Sequence, residues 1–381
     1  MDAPQYTTLR AALSDVPDPR KPRGQRYPWP LLLTAISAAL VSGQQGLRAI
    51  GQWVAEHGEE LGPLLGLPPG RVPSTATLRR AVRAVDLAAL EARIAGFAAG
   101  LAAPPADAPP WAGQAIDGKA VRGANRHGAR VHLVGLVRHG DGLVLGQVAV
   151  ADKSNEITAA PRLLAGRNLS GTVTTMDAQL TQRKLARQIR DQGGHYLMVV
   201  KANQPDLYAA IVELFAAPPV ADAADARERV TTLDKGHGRL ETRTLERSAA
   251  LNVYLRWPDV GQVLRRACRR VSVATGEITE EVTYGVTSLP PSAASAAQVE
   301  ALWRGHWTIE NRVHRVRDGT LAEDACQVRV GHAPQALAAL RNGLLNLLRA
   351  LGWTNLADAV RHYGAFAPRA LRLLSTGPKR L

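Results

Sequence analysis

Asp117 sits inside an otherwise apolar, strand-forming run, AIDGKAVRG, and is followed by Gly118, where a backbone can be approached closely. Asp177 ends a second such run, TVTTMD, at the carboxyl end of a strand, where open sheets carry their ligands. Glu310 lies in a helical stretch, HWTIENRVHRVRD. Three carboxylates offer hard oxygen donors with open positions. Mg²⁺ needs such donors to bridge a scissile phosphate, activating water on one side and stabilising the leaving oxygen on the other. The chemistry on offer is metal-assisted phosphodiester cleavage. A chain with 33 Asp and Glu residues also presents three acids in convenient places by chance. The strand context of Asp117 and Asp177 favours the first reading.

Other residues could join such a site. Helical spacing from Glu310 puts Trp303, His306, His314 and Arg317 on one stripe, beside an apolar face of Leu302, Ile309, Val313 and Val316. The apolar face packs; the stripe can meet a phosphate backbone or simply be solvated. Lys119 and Arg122 follow Asp117, and Lys201 follows a later strand with Asn203 and Gln204. Phosphate contact and solvation both suit them. Glu156 opens a helix, where an acid favours the dipole and could also be an auxiliary metal ligand. In HGRLETR, His237, Arg239, Glu241 and Arg243 alternate, so on a strand they share one face, turned to DNA or to solvent. Trp257 could stack a displaced base or form the core of a small β module.

These residues need elements to hold them. Residues 1–103 have helical periodicity, with an N-cap signal at Ser74 or Thr75. A Pro- and Ala-rich linker, 104–114, breaks it. From residue 115 to 221 the order is three strands, helix, strand, helix, strand. This predicts an α/β, ribonuclease-H-like core, a mixed five-stranded sheet flanked by helices in which the first and fourth strands are neighbours. Residues 222–288 are strand-like and turn-rich, an inserted β-rich module; 289–352 return to helix as the second part of the core, carrying the third acid; 353–381 form a basic C-terminal tail.

Composition narrows the partners. Lys and Arg number 47 against 33 Asp and Glu, a net charge of +14 that suits a polyanion. Only seven of the 47 are lysines, so part of the excess can be a compositional arginine bias. Residues 301–381 hold twelve Lys/Arg and five Asp/Glu, a net +7, which favours a DNA track near the third acid over a uniform bias. Two cysteines, Cys268 and Cys326, cannot build a disulfide framework or a structural zinc site. The most apolar run, Leu31 to Val41, is too short to span a bilayer and no signal peptide opens the chain, so the expectation is a cytoplasmic, nucleoid-associated protein without membrane partners.

Eight blocks in order carry a family resemblance: AIDGKAVRG, HLVGLV, LGQVAVADKSNEITAAPRLL, GTVTTMDAQLTQRKLARQI, GGHYLMVVKANQPDL, KGHGRLETR, HWTIENRVHRVRDGTLAEDAC and APQALAALRNGLLNLLR. Together they resemble the insertion-sequence transposases of the ISAs group, the H-repeat-associated proteins of the DDE class, over about residues 8–350. The N-terminal part is similar to the helical domain that accompanies the DDE domain in that group. The resemblance implies a DDE triad at Asp117, Asp177 and Glu310, two Mg²⁺ or Mn²⁺ ions, and cleavage and strand transfer at terminal inverted repeats into target DNA by a homodimer. Relatives carry Tyr, Arg, Glu and Lys around the third acid, where this sequence has Trp303, His306, Glu310 and Arg317. Those departures motivate a rival reading, a decayed or domesticated DNA-binding protein; a structure-selective nuclease is a third.

Overall fold

The computed structural model describes residues 5–23, 25–101, 110–126, 129–151, 154–219, 227–236 and 238–377. Six helices come first: α1 (Leu9–Ser14), α2 (Trp29–Val41), α3 (Leu47–Glu56), α4 (Gly58–Leu64), α5 (Thr75–Ala84) and α6 (Leu87–Leu101). Thr8 caps α1 by accepting the Ala11 N–H at 3.1 Å, and Ser74 caps α5 by accepting that of Thr77 at 3.3 Å. α2 starts behind Pro28, holds Pro30 in its first turn where no N–H is needed, and is buried almost all round. The long apolar run is therefore a core helix. No helix among the described residues is long and apolar enough to cross a membrane.

Three strands follow, β1 (Ala112–Arg126), β2 (Ala129–Arg138) and β3 (Val144–Ala149). Next come α7 (Glu156–Leu164), β4 (Thr172–Met176), α8 (Arg183–Asp191), β5 (His195–Val200) and α9 (Pro205–Ala216). A run of four strands, β6 (Glu228–Gly236), β7 (Arg239–Ser248), β8 (Gln262–Ser272) and β9 (Ile278–Thr287), leads to α10 (Ala296–Gly305). A π-helical turn (Ile309–His314), α11 (Arg315–Asp318), α12 (Ala333–Ala350), α13 (Leu356–Gly364) and α14 (Ala367–Leu374) complete the chain. Two compact units result, one of Met1–Asp107, Gly118–Lys153 and Thr308–Leu381, the other of Ala108–Asp117 and Ser154–Trp307. β1 passes from the second unit to the first between Asp117 and Gly118.

The second unit is α/β, built on a large mixed sheet in the order β1-β4-β5-β9-β8-β7-β6. β1, β4 and β5 are parallel, and β9 joins β5 antiparallel with Val200 opposite Tyr284. The expected five-stranded sheet is corrected here: the strands of the inserted β-rich module, β6–β9, extend the sheet itself. β5 would otherwise expose a row of unpaired backbone groups, and the end of β9, Gly285 to Thr287, is small enough to be buried beside it, with the Thr287 hydroxyl donating to the Tyr196 carbonyl at 2.6 Å. Gly285 is required there, since a Cβ would lie 2.6 Å from the Trp303 ring. The core on that face unites Val173, Leu197, Leu245, Leu264, Val299 and Trp303.

In the first unit β3, β2 and the Gly118 end of β1 lie side by side, with β2 and β3 an antiparallel hairpin. α12 is its central helix, packed against β2 and β3 as well as α1, α2, α5 and α6. Asn346 on α12 accepts from the Val144 N–H at 2.8 Å and donates to the Val144 carbonyl at 2.9 Å, closing part of the β3 edge. One further difference concerns the third acid: no single helix runs through 303–317. α10 stops at Gly305, and the helix resumes with π-helical pitch at Ile309.

Candidate functional site

Asp117 and Asp177 are the residues that follow the last parallel pair of two neighbouring strands, Ile116 opposite Met176. Paired residues on parallel strands project to the same side, so the two carboxylates leave neighbouring strands on one face where the β1–β4 pairing ends, both half-buried. The turn after β4 is fixed. The Leu180 N–H donates to Asp177 Oδ1 at 3.0 Å, and the Thr181 hydroxyl lies 3.0 Å from the Asp177 carbonyl oxygen and 2.5 Å from that of Val199. Asn203 and Gln204 donate to the carbonyls of Ala178 and Thr181, at 2.6 and 2.9 Å. One carboxylate oxygen of Asp177 is thus held by backbone while the carboxylate stays at the strand's carboxyl end. His306 Nδ1 sits 3.0 Å from the Thr175 hydroxyl, two residues before Asp177 and on its side of the sheet.

In the first unit Glu310 is exposed, with 52% of its side chain accessible, and His314 is buried beside it, Nδ1 3.1 Å from Glu310 Oε2. That hydrogen bond, helped by the charges of Lys119 and Arg122, holds the Glu310 carboxyl below the usual range against partial burial. Glu310 is accordingly an ionised oxygen donor at neutral pH. The π-helical pitch is the local device, since single π turns reset which side chains share a face and recur at functional sites.

Beneath it lies a buried charge cluster. Glu323, fully buried, accepts from the Arg317 guanidinium at 2.7 and 2.8 Å and has Arg341 at 3.8 Å. Against burial, which would raise it, Glu323 is kept below its ordinary pKa by Arg317, then Arg341, with Lys119 contributing. Lys119 pairs with Asp318 and lies 3.9 Å from Glu323 and 3.8 Å from Asp324. Burial pushes the Asp318 carboxyl up, and Lys119 pulls against that.

Several sequence expectations are corrected by burial. Lys119 and Arg317 belong to this internal cluster and have no surface to offer a phosphate. Arg243 is buried between Asp234 and Glu241, its cross-strand and same-strand neighbours. Trp303 is core, with the Arg266 guanidinium 5.8 Å from its ring, and Trp257 is buried under Arg183 at 6.0 Å. In each case a neighbouring helix or strand covers the face that spacing alone left open. Arg122, Lys201 and Arg239 are exposed; Lys201 follows β5 at the sheet end that carries Asp117 and Asp177, and Arg239 pairs with Glu241 at 2.8 Å. Glu156 is the buried first residue of α7, behind the Asn155 cap. His237 lies outside the described residues. Sequence reasoning placed His314 on the stripe but assigned it nothing, although its i,i+4 spacing from Glu310 was a usable signal. It passed over Asp318, Glu323 and Asp324, whose role depends on a fold in which Lys119 comes to meet them.

A family model for the transposase DDE domain matches residues 105–347, and one described as DDE_Tnp_1-associated matches residues 10–98. The chain is 33% identical over 244 residues to the Escherichia coli O157:H7 protein named Putative transposase YncI, covering 62% of this chain and 61% of that one. It is 31% identical over 251 residues to H repeat-associated putative transposase YhhI of Escherichia coli K12, covering 61% and 63%. The match therefore spans about three-fifths of the length of these relatives. Among solved structures, a piggyBac transposase synaptic complex with hairpin DNA aligns with 97% of this chain and 78% of its own at 10% identity and a TM-score of 0.44. With residues 105–347 of its 381 matched by one family model, the chain belongs to the transposase DDE domain family.

Proposed function

We propose that the chain is the DNA transposase of an insertion sequence, cutting phosphodiester bonds at its element's terminal inverted repeats and joining the ends to target DNA. Asp117, Asp177 and Glu310 are the acids that hold its divalent ions, two Mg²⁺ or Mn²⁺. The observation that carries the reading is the parallel pairing of Ile116 with Met176, which brings Asp117 and Asp177 out side by side in a chain of the DDE family. The donor set suits a hard cation: one aspartate within β1, one just after β4, and a glutamate kept ionised. Besides His314, Lys119 and Arg122, the next charged residues along β1 after Asp117, act on Glu310 through their charges. Bound there, a divalent ion lowers the pKa of water and stabilises charge developing on the phosphate.

The chain's own residues supply the rest. The Leu180 N–H orients the Asp177 carboxylate, and His314 orients Glu310 and keeps it ionised. Exposed Arg122 and Lys201 are placed to bind strand phosphates, and Glu156 is the auxiliary acid. Water is the nucleophile for hydrolysis and the freed 3′-hydroxyl for strand transfer, with no covalent protein intermediate. The finer architecture goes with this reading: a ribonuclease-H-like catalytic part, helical residues 1–103 as the reader of DNA ends, and a homodimer in the synaptic complex.

A nicking assay on duplexes bearing the repeats that flank the gene tests it, comparing wild type with Asp117→Asn. The proposal expects metal-dependent nicking that the variant loses. Binding without nicking by either protein would favour a DNA-holding descendant of a transposase, and cleavage indifferent to the repeats would favour a structure-selective nuclease.

A further inference from the structure

We infer that the outer face of α5 is a docking surface for duplex DNA, with Arg79, Arg80 and Arg83 gripping backbone phosphates. The inference rests on the reading of the chain as a DNA-processing protein and narrows the DNA contact which that reading gives to residues 1–103 as a whole to one helix and named arginines. α5 is two-faced: Leu78, Ala81 and Val82 are buried, whereas Ala76, Arg79, Arg80, Arg83 and Ala84 are exposed. Between Glu60 and Asp86 the sequence has four arginines and no acid.

Two grooves flank the helix. One is lined by Arg79 and Arg83 with Arg48 of α3 and Arg329; the other by Arg80 and Arg83 with Arg20 and Arg26. Arg83 faces both. Among the described residues no ion pair engages Arg26, Arg48, Arg79 or Arg83, whereas Arg243, Arg247, Arg266 and Arg317 each meet a carboxylate. Arg79 and Arg83, with Arg48 and Arg26 beside them, therefore bring several guanidinium groups that meet no carboxylate to one helix and its two flanks.

The helix is held firmly enough to serve as a reader. α5 packs on α2, α3 and α12, and a Cβ at Gly51 of α3 would lie 2.1 Å from Thr75 Oγ1 and 2.8 Å from Thr75 Cα, so bare backbone lets α3 press on the first turn of α5. A helix about 10–12 Å across fits a major groove about 12 Å wide, and arginines on both sides of it then meet the two backbones that border the groove. The planar guanidinium fork suits phosphate oxygens. This two-sided arrangement is what favours a duplex over an acidic protein.

The test is fluorescence anisotropy with the full chain and a labelled 30-base-pair duplex of generic sequence, over a range of salt concentrations. The triple variant Arg79→Ala, Arg80→Ala, Arg83→Ala is expected to weaken binding at least about tenfold and to reduce the slope of log K against log salt by about 3, at roughly 0.9 per phosphate contact. The corresponding triple Lys variant should keep most of the slope, and Arg369→Ala, an exposed arginine on α14, should bind as wild type does. Single Ala variants, each removing about one unit of slope, serve should the triple variant unfold. Wild-type binding with an unchanged slope in the triple Ala variant would overturn the inference and leave the transposase reading intact. Absence of duplex binding by wild type would overturn both, and stronger competition by poly-glutamate than by unlabelled duplex would overturn the inference in favour of an acidic protein partner.

Discussion

Glu323 shows how single residues hold the third acid's surroundings together. Its carboxylate is fully buried and satisfied by Arg317, so Glu323→Ala leaves the buried Arg317 and Arg341 without their counter-charge. The expected loss is about 3–5 kcal/mol by thermal or chemical unfolding, and Glu323→Gln, which keeps hydrogen-bonding capacity, should lose less. The pH dependence has a definite sign. A carboxyl held below its unfolded pKa contributes fully above the unfolded value and progressively less as pH falls through the folded one. The unfolding temperature should therefore fall as pH drops below about 4.5, the ordinary Glu range, and Glu323→Gln should show a shallower fall. At the candidate site, Asp177→Asn and Glu310→Gln should each lower metal-dependent nicking on the order of 10³-fold, the several kcal/mol a metal-held oxygen supplies, with little change in unfolding temperature. Asp117 and Asp177 were legible in the sequence because an acid in or at the end of an apolar strand has few other reasons to be there. Lys119, Arg243, Arg317 and Trp303 were misjudged because their exposure depends on what packs over them, which spacing does not encode; for Trp257, burial selects the core over the stacking alternative.

At the scale of elements, the helices and strands followed the expected order because each carries local signals: Ser74 before α5, Asn155 before α7, Gly-bearing turns between strands. What local signals could not specify was partnership. β9 joins β5 through a short buried stretch whose value appears only once β5 has an open edge, so the inserted module widens the sheet beyond the expected five strands. The helix at Glu310 has ordinary α periodicity in sequence, whereas the structure gives it π pitch with Ile309, Val313 and His314 buried. A prediction at this scale concerns the contact between α3 and α5. Gly51→Ala pushes a methyl group into Thr75 backbone and should cost roughly 1–3 kcal/mol in unfolding experiments. It should also weaken duplex binding without removing any arginine, because it displaces the first turn of α5. An unaltered unfolding temperature would show that α3 and α5 do not meet so closely.

For the molecule as a whole, the net charge of +14 has two components that the structure separates. Many arginines are internal or matched, as in the Glu323 cluster and along β7 and β8, and these build the fold. Others stand unmatched on the first unit around α5, where they can meet a polyanion. The central claim of the proposed function is that three acids distant in sequence hold the same ions. Iron-mediated hydroxyl-radical cleavage of the protein tests this most directly: Fe²⁺ is loaded in place of Mg²⁺, ascorbate and peroxide are added, and the backbone cuts are mapped by mass spectrometry. The account predicts cuts clustered at residues 117, 177 and 310 that Mg²⁺ suppresses and Asp117→Asn abolishes. Cuts confined to one of the three positions, or clustered elsewhere in a protein that still nicks its DNA, would contradict it.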